Sequence, residues 1–584
     1  MKRKFVQIAA LCLSAVLLSL CAGGQRAAAA PTGSTGRLIR VGLHFGTGAM
    51  EGLNFANSTG SGFRFGYYDG ANQFVPLGST GERAVSVVKT VNVYYGTLRS
   101  YTSYHSALTT AAVAVGEYHL QLPGSYSSFA EAQAAASAYE GGFPAYIGGA
   151  FYARIGSYTT RDKAVEAQAA LANQGVDTEL KGTSEYGISV VITGTNTILF
   201  QFDDLGQGTG MGMEPNAEGP GEYVTLSKGC TYVGGFRFER VNGGSLTVVN
   251  ILGFEDYIKG VVPHEMSNSW PVEALKAQAV AARSYALSLG SQHSNYHFDI
   301  CAETHCQAYS GRTRAGSNSD AAVDQTAGQV ALWNGKVAQT FYYSSNGGAS
   351  ESSSTVWGSN QANYPYLVGK ADPYEAASGV KNDWSRSFSS DTLVSKLREL
   401  GYNVGSAITS VAVTSLTGSG NPRMVTFTDN NGKNFSINTK DVIQKMLYLP
   451  SYRYGFDTAA VEQQPSAGAV LSVNGTAVDG LAGLYAVDGS GNVIPVDESA
   501  YVITGGGETK PIGQWGGTGG SGGSSGLGTL TSTTGKNGTF TFTGKGWGHN
   551  VGMSQWGAYA MAKQGYTGVE ILQFYYTGIT VGYM

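Results

Sequence analysis

The chain has 584 residues, 42% of them hydrophobic and 13% charged; this length exceeds one ordinary core, and this balance rules out a disordered acidic or basic polypeptide. Its 84 glycines do not recur at every third position, which excludes a collagen-like helix. Net charge is −4, or −8 without the first 30 residues, which hold Lys2, Arg3, Lys4 and Arg26 and no acid, so bulk electrostatics recruit no nucleic acid.

The N-terminus reads as an export leader. Met1–Lys4 is basic, the 16 residues Phe5–Leu20 are mostly apolar, and the small residues Ala27–Ala30 follow, in the order of a secretory signal. Sixteen residues are short for a spanning helix, so residues 1–30 are expected to be a signal peptide or an N-terminal anchor. Leu18-Ser19-Leu20-Cys21 is similar to a lipoprotein site, with Leu20 where a small residue is wanted. No other stretch is long enough to span a membrane. Beyond the leader only Cys230, Cys301 and Cys306 remain, and an odd count outside the cytoplasm makes no disulfide framework. Cys230 reads as a small buried hydrophobe.

Residues 31–116 read as β-rich, with strand-like runs at Arg37–Leu43 and Val85–Tyr95. An internal repeat follows. Tyr118–Leu122, the turn Gly124-Ser125-Tyr126 and the Ala-rich stretch Phe129–Tyr139 are echoed by Phe151–Ile155, Gly156-Ser157-Tyr158 and Arg161–Asn173. Two tandem βαβ units make a small ferredoxin-like sheet. Residues 117–195 resemble the SPOR (sporulation-related repeat) domain, and that resemblance implies binding to glycan strands stripped of peptides. A ferredoxin-like spacer is the plainer reading.

From 196 the chain is β-rich again, with runs at Tyr223–Leu226, Tyr232–Arg240 and Leu246–Leu252. Gly253–Gly260 reads as a short helical turn and Val261–Met266 as a non-helical elbow. Pro271 suits a helix start because its missing N–H is not needed in the first turn. Glu273 adds an acid where the helix dipole favours one. Val272–Leu289, with six Ala, is expected to be a closely packed buried helix ended by Gly290. Ser466–Val502 reads as a small β-insertion, and Gly505–Gly528 is a Gly/Ser/Thr run of linker composition; together they mark an insertion at about 460–535. Two further helices are expected at Ser554–Lys563 and Val569–Tyr576.

Four segments carry the chemistry. The first is Glu255–Met266 with Trp270-Pro271 and Glu273–Arg283. The second is Phe298–Cys301 with His305–Gly311. The third is Tyr342–Gly348 with Val356-Trp357-Gly358 and Tyr366-Leu367-Val368. The fourth is Gly546–Ala558, containing Gly-Trp-Gly-His-Asn-Val-Gly-Met-Ser-Gln-Trp-Gly. In order and spacing they resemble the stage II sporulation protein D family over roughly 220–584, the insertion apart. The resemblance implies an α+β multidomain protein in which a ferredoxin-like SPOR module precedes a β-rich catalytic domain, at 196–584, with a small helical core.

It also implies peptidoglycan lytic transglycosylation. The bond between N-acetylmuramic acid and N-acetylglucosamine is cut without water, leaving a 1,6-anhydro sugar. One carboxyl suffices if it first protonates the leaving oxygen and then takes the proton of the sugar's 6-hydroxyl, a role switch like that of retaining glycosidases. Glu265 matches the family's catalytic glutamate. Its place before a buried helix in a charge-poor chain favours partial burial and a retained proton; the plainer reading is a turn or capping carboxylate. Lys276 and Arg283, seven apart, share a helix face. They are expected to orient Glu265, to bind sugar hydroxyls or peptidoglycan carboxylates, or to make structural ion pairs.

Family members hold zinc with two Cys and two His near the second segment, which implies His293, Cys301, His305 and Cys306 here, with His297 as the local rival of His293. Four thiolate and imidazole ligands close a tetrahedral structural site; a Cys301–Cys306 disulfide or free thiols are the alternatives. Tyr343 stands where the family often has His. With Ser344 it is a candidate substrate contact, beside a loop that Gly347 and Gly348 allow to be tight. Asn550 replaces a usual Gly and tolerates positive φ better than most residues. His549, Ser554 and Gln555 are candidate contacts too, a core role being equally open for His549.

The resulting expectation is an exported lytic transglycosylase at the cell wall or the outer membrane face, acting on glycan strands with or without their peptides. Membrane contact would come only through an uncleaved leader. Some relatives are amidase enhancers, so a non-enzymatic wall protein that stimulates an amidase or another wall-remodelling protein is the rival reading. A germination or adhesion protein without activity is a third, resting on the glycines and the 35 tyrosines.

Overall fold

The computed structural model describes residues 36–456, except 109–110, 183, 217–222 and 227, then six short strands between 470 and 511, and residues 530–583. The leader at 1–30 lies outside the described residues, as does most of the linker-like run. The protein is mixed α+β and sheet-rich. It divides into two compact units: residues up to Tyr342 with Tyr364–Leu367 and the chain from Gly552, and a second made of Tyr343–Asn363 and Val368–Val551.

Two large sheets dominate the first unit, beside two of three short strands each. The seven-stranded sheet runs Ile300–Cys301, Leu38–His44, Thr247–Gly253, Gly235–Glu239, Met211–Pro215, Phe63–Tyr68, Phe74–Thr80. The ten-stranded sheet runs Glu179–Lys181, Tyr118–Gln121, Ala150–Tyr158, Gly142–Ile147, Ile198–Asp203, Ile188–Ile192, Ala84–Lys89, Gly52–Ala56, Val224–Leu226, Thr231–Tyr232. Aromatic rings from both sheets meet in the core: Phe65 stacks on Phe200 with centroids 5.4 Å apart, and Phe55 meets Phe236 at 5.1 Å. Burying each such ring stabilises by about 1.5–3 kcal/mol.

The first four strands of the larger sheet come from the internal repeat, with helices α1 (Phe129–Ala136) and α2 (Arg161–Ala172) between them. Ser128 and Thr160 cap those helices through Glu131 N and Lys163 N, which is why each begins one residue after a hydroxyl. The repeat is not a separate sheet. Ala145–Ile147 pairs in parallel with Gln201–Asp203, and strands from 52–56, 84–89, 188–192 and 224–226 continue it. Strands from before 116 and after 196 thus share the repeat's sheet, and the two compact units divide at Tyr342/Tyr343, 363/364, 367/368 and Val551/Gly552.

The helical core follows the strand Thr247–Gly253. Helix α3 spans Phe254–Glu265 and includes Pro263, so Val261–Met266 is the last turn of a helix and not the expected elbow. Pro263 removes one backbone donor, but Met266 N still bonds Val262 O at 2.9 Å. Tyr257, Ile258, Gly260, Val261, Val262 and Pro263 are all buried, and that burial outweighs the local preference. Gly260 is required by contact: a Cβ there would lie 2.4 Å from the Tyr309 ring.

Helix α4 spans Val272–Leu289, as the sequence predicts, and Gly290 ends it at φ 63°. Its alanines let α3, α5 (Ser317–Gln325), α6 (Gln555–Lys563) and α7 (Gly568–Tyr575) all pack on it. Cys230 is a half-buried free thiol, less enclosed than expected.

In the second unit, Asp383–Ser389, Thr539–Lys545 and Arg453–Phe456 form one sheet, and Asn434–Asn438, Pro422–Asp429, Ile408–Leu416 and Ser532–Thr533 another. Three antiparallel hairpins lie between Val470 and Pro511; the third places a strand, Thr509–Pro511, inside the run read as linker.

Candidate active site

Glu265 is the last residue of α3, where the backbone turns extended at Met266 (φ −128°, ψ 144°). The turn leaves its carboxyl half-buried. Glu265 Oε2 accepts a hydrogen bond from Gln555 Nε2 at 2.9 Å. Burial holds the carboxyl above the usual carboxylate range, and the Gln555 amide pulls it partly back. The first and fourth sequence segments thus meet at one carboxyl. Trp556, next to Gln555, packs on Trp270 with centroids 4.7 Å apart, and Tyr559 lies 5.1 Å from Trp270. All three rings are half-exposed.

Lys276 and Arg283 are not brought to Glu265. Arg283 is 1% exposed; it grips Glu255 with two bonds of 3.0 and 2.7 Å and donates to Gln329 O at 2.9 Å. That is the structural-ion-pair alternative, and it leaves this guanidinium no face for a sugar. Lys276 pairs with Glu273 at 2.7 Å, while Glu273 also accepts from Gly568 N at 2.7 Å. Ser554 is fully buried and caps α6 by accepting from Gly557 N at 3.1 Å, so it holds the helix that carries Gln555.

Three hydrogen-bonding side chains near Glu265 carried no assigned role in the sequence. The Tyr257 hydroxyl donates to Gln307 Oε1 at 2.6 Å, and Gln307 Nε2 donates to the Tyr342 hydroxyl at 2.7 Å. Burial pushes both phenols well up, with the Glu265 charge adding to each. The available signal was their position inside the recognised segments, Gln307 directly after Cys306 and Tyr342 directly before Tyr343.

His293, Cys301, His305 and Cys306 come together with their ligand atoms all within 4.8 Å of one another. Cys306 Sγ lies 3.3 Å from His293 Nε2 and 3.4 Å from His305 Nδ1, and Cys301 Sγ lies 3.8 Å from His305 Nδ1. Ligands of tetrahedral zinc at ordinary bond lengths stand roughly 3.3–3.8 Å apart, so this donor set fits such an ion. Neither cysteine is in a disulfide. His297 turns away to Glu239 at 2.9 Å.

Tyr343, Ser344 and His549 belong to the second unit. Tyr343 is buried, and the His549 ring packs 5.2 Å from it and 5.3 Å from Trp357. Ser344 is half-buried in the same loop. The loop is tight, as expected. Buried Glu375 accepts from Ser345 Oγ, Asn346 N and Gly347 N at 2.7, 2.7 and 2.8 Å. Asn550 takes φ 61° and donates to Asn346 O at 3.1 Å and Ala349 O at 3.2 Å. A cavity of about 720 Å³ is lined by this unit, including Gly347, Gly348, Arg453 and Lys545. Glu265 does not line it.

Residues 242–333 match the family described as SpoIID, Stage II sporulation protein. An uncharacterized protein of Brachyspira hyodysenteriae is 31% identical over 60% of this chain and 73% of its own length. The Bacillus subtilis protein named Amidase enhancer is 30% identical over 56% of this chain, which spans 40% of that relative's length. Stage II sporulation protein D of Bacillus subtilis is 24% identical over 57% of this chain and 75% of its own. The match over α3, α4 and the cysteine–histidine cluster, together with these relatives, places the chain in the stage II sporulation protein D family.

Proposed function

We propose that this protein is a peptidoglycan lytic transglycosylase with Glu265 as its acid and then its base. The observation that carries the reading is the half-buried Glu265 carboxyl, held above the usual range by burial and contacted by the neutral Gln555 amide. A carboxyl in such surroundings keeps a proton to give. Glu265 would protonate the glycosidic oxygen as the C1–O bond of the muramic residue breaks. The carboxylate would then take the 6-hydroxyl proton while O6 bonds to C1. The proton returns to Glu265, and the products are a 1,6-anhydro end and a free 4-hydroxyl, with no water consumed. The half-exposed rings of Trp270, Trp556 and Tyr559 are of the kind that stack on sugar faces.

In the same reading, His293, Cys301, His305 and Cys306 hold a structural zinc. Such an ion would fix the fold of the segment carrying Gln307 and supply no reacting group. The strand–helix order of 117–195 supports a SPOR-like glycan-binding role for that repeat. The work would be done outside the cytoplasm, at the wall.

One observation favours a second reading: a relative with 30% identity is named Amidase enhancer. In that case the protein binds glycan and stimulates an amidase without cutting. A digest separates the two. Residues 31–584 and the Glu265→Gln variant are incubated with intact and with peptide-stripped glycan strands, and 1,6-anhydro-muramyl ends are sought by mass spectrometry. Anhydro ends from the native protein alone support the enzyme. Bound glycan with no new ends supports the enhancer, and reducing ends would mean hydrolysis.

A further inference from the structure

Gln307 cannot flip its amide. The Ala282 carbonyl, 3.3 Å away, can only accept, so the nitrogen end faces it, and the oxygen end receives the Tyr257 hydroxyl at 2.6 Å. That nitrogen also donates to the Tyr342 oxygen at 2.7 Å. Tyr342 is therefore an acceptor in this bond, and its own proton points elsewhere. Among the described residues no acceptor lies within hydrogen-bond distance of that proton. Phe341 O accepts from Met553 N at 3.1 Å, which sets Tyr342 beside the segment leading into Gln555, the residue that donates to Glu265; burial, and after it the Glu265 charge, raises the phenol.

We propose that Tyr342 is a positioning residue for Glu265. Once Glu265 has released its proton, the oriented Tyr342 O–H turns onto the carboxylate as its second donor, beside Gln555. This rests on the reading of Glu265 as acid and base. The two side chains are not hydrogen-bonded in this structure; catalytic hydrogen bonds often close only as charge develops.

The other groups around Glu265 leave the task to neutral donors. On its own helix, Tyr257 is bound to Gln307, and His264 contacts Ser310 Oγ at 3.4 Å. On α4, Lys276 and Arg283 pair with Glu273 and Glu255. From α6 comes only the Gln555 amide. From the segment after Cys306, Tyr309 donates to Asn250 Oδ1 at 2.9 Å.

The test is the Tyr342→Phe variant, which removes one oxygen and keeps the ring. Carboxyl carbon NMR of the full chain, with the Glu265 signal assigned by its loss in Glu265→Gln, reads the titration without any turnover. The Glu265 midpoint should move upward by roughly one pH unit, the effect of one lost hydrogen bond to a charged group. Gln307→Leu, which frees the phenol from its orientation, should move the midpoint the same way by less. In the glycan digest the descending limb of kcat/KM against pH should move with it, at unchanged KM. An unmoved or lowered midpoint overturns the proposal. So does a raised KM with an unmoved midpoint, which would mean that the hydroxyl meets substrate. A native protein that makes no anhydro ends would sink the enzymatic reading, while the NMR midpoint would still decide whether Tyr342 serves Glu265.

Discussion

Replacing Gln555 by Leu removes the amide that donates to Glu265 and keeps the side chain's approximate volume. The bond is 2.9 Å long and meets a half-buried carboxyl. A hydrogen bond to a charged group contributes about 1.5–3 kcal/mol, and a neutral pair about 0.5–1.5 kcal/mol. The folded protein holds this carboxyl above the usual range, so between the unfolded and the folded value the native state binds more protons. The favourable contribution of the protonated form is thus present at low pH and lost as pH rises through the folded value. Without Gln555 the ionised form is still less favourable, and the loss deepens. Urea melts should show Gln555→Leu destabilised by about 1.5–3 kcal/mol at pH 8 and by about 0.5–1.5 kcal/mol at pH 4. The descending limb of kcat/KM for anhydro-end formation should move to higher pH. Equal destabilisation at both pH values, or a limb moved downward, would refute the claim that Gln555 tunes this carboxyl.

Arg283→Met leaves the half-buried Glu255 without its cation and should cost up to about 3–5 kcal/mol in chemical denaturation. Lys276→Met disturbs a more exposed pair and should cost under about 1 kcal/mol, so the two seemingly equivalent cations separate in one experiment. Elemental analysis of the purified chain should find one zinc per molecule, lost in Cys301→Ser, and a chelator should lower Tm. Absence of zinc with unchanged Tm would remove the metal from the description. Asn550→Ala keeps a non-glycine residue at φ 61° and deletes two bonds to buried carbonyls. It should destabilise the second unit by about 2–4 kcal/mol, and Asn550→Gly, which relieves the backbone, by less, both read by thermal melts.

Helix α4 was legible because its signals are local: Pro271 before it, six alanines inside it, Gly290 after it. The C-terminal helices were legible too: expected at Ser554–Lys563 and Val569–Tyr576, they run Gln555–Lys563 and Gly568–Tyr575. The last turn of α3 was not. Pro263 argued for an elbow, and only the burial of Tyr257 to Pro263 against other elements keeps the chain helical there. The sheet that absorbs the internal repeat was equally hidden, since the pairing of Ala145 with Gln201 joins residues 56 positions apart and no local pattern encodes it. At the site, Glu265 and Gln555 could be named from their segments. That Arg283 turns to Glu255 could not, because helix periodicity gives the face of a side chain and not the partner that waits there.

The pairing of charges around α3 and α4 bears on why Glu265 differs from its neighbours. The other acids of these helices each stand near a cation: Glu255 binds Arg283, Glu273 binds Lys276, and Asp256, which burial also raises, is pulled back by Lys259 and Arg312. Glu265 meets an amide. A cation at salt-bridge distance lowers a carboxyl's pKa by roughly one to three units and would keep Glu265 ionised at neutral pH. An ionised Glu265 has no proton for a glycosidic oxygen. A carboxylate kept only to bind sugar hydroxyls would gain from such a cation, because the charge makes it a stronger acceptor. Here burial raises the group, and it is an amide, not a cation, that pulls it partly back. That is the electrostatic setting the proposed acid-then-base role requires, and a carboxylate that only binds sugar would not need it.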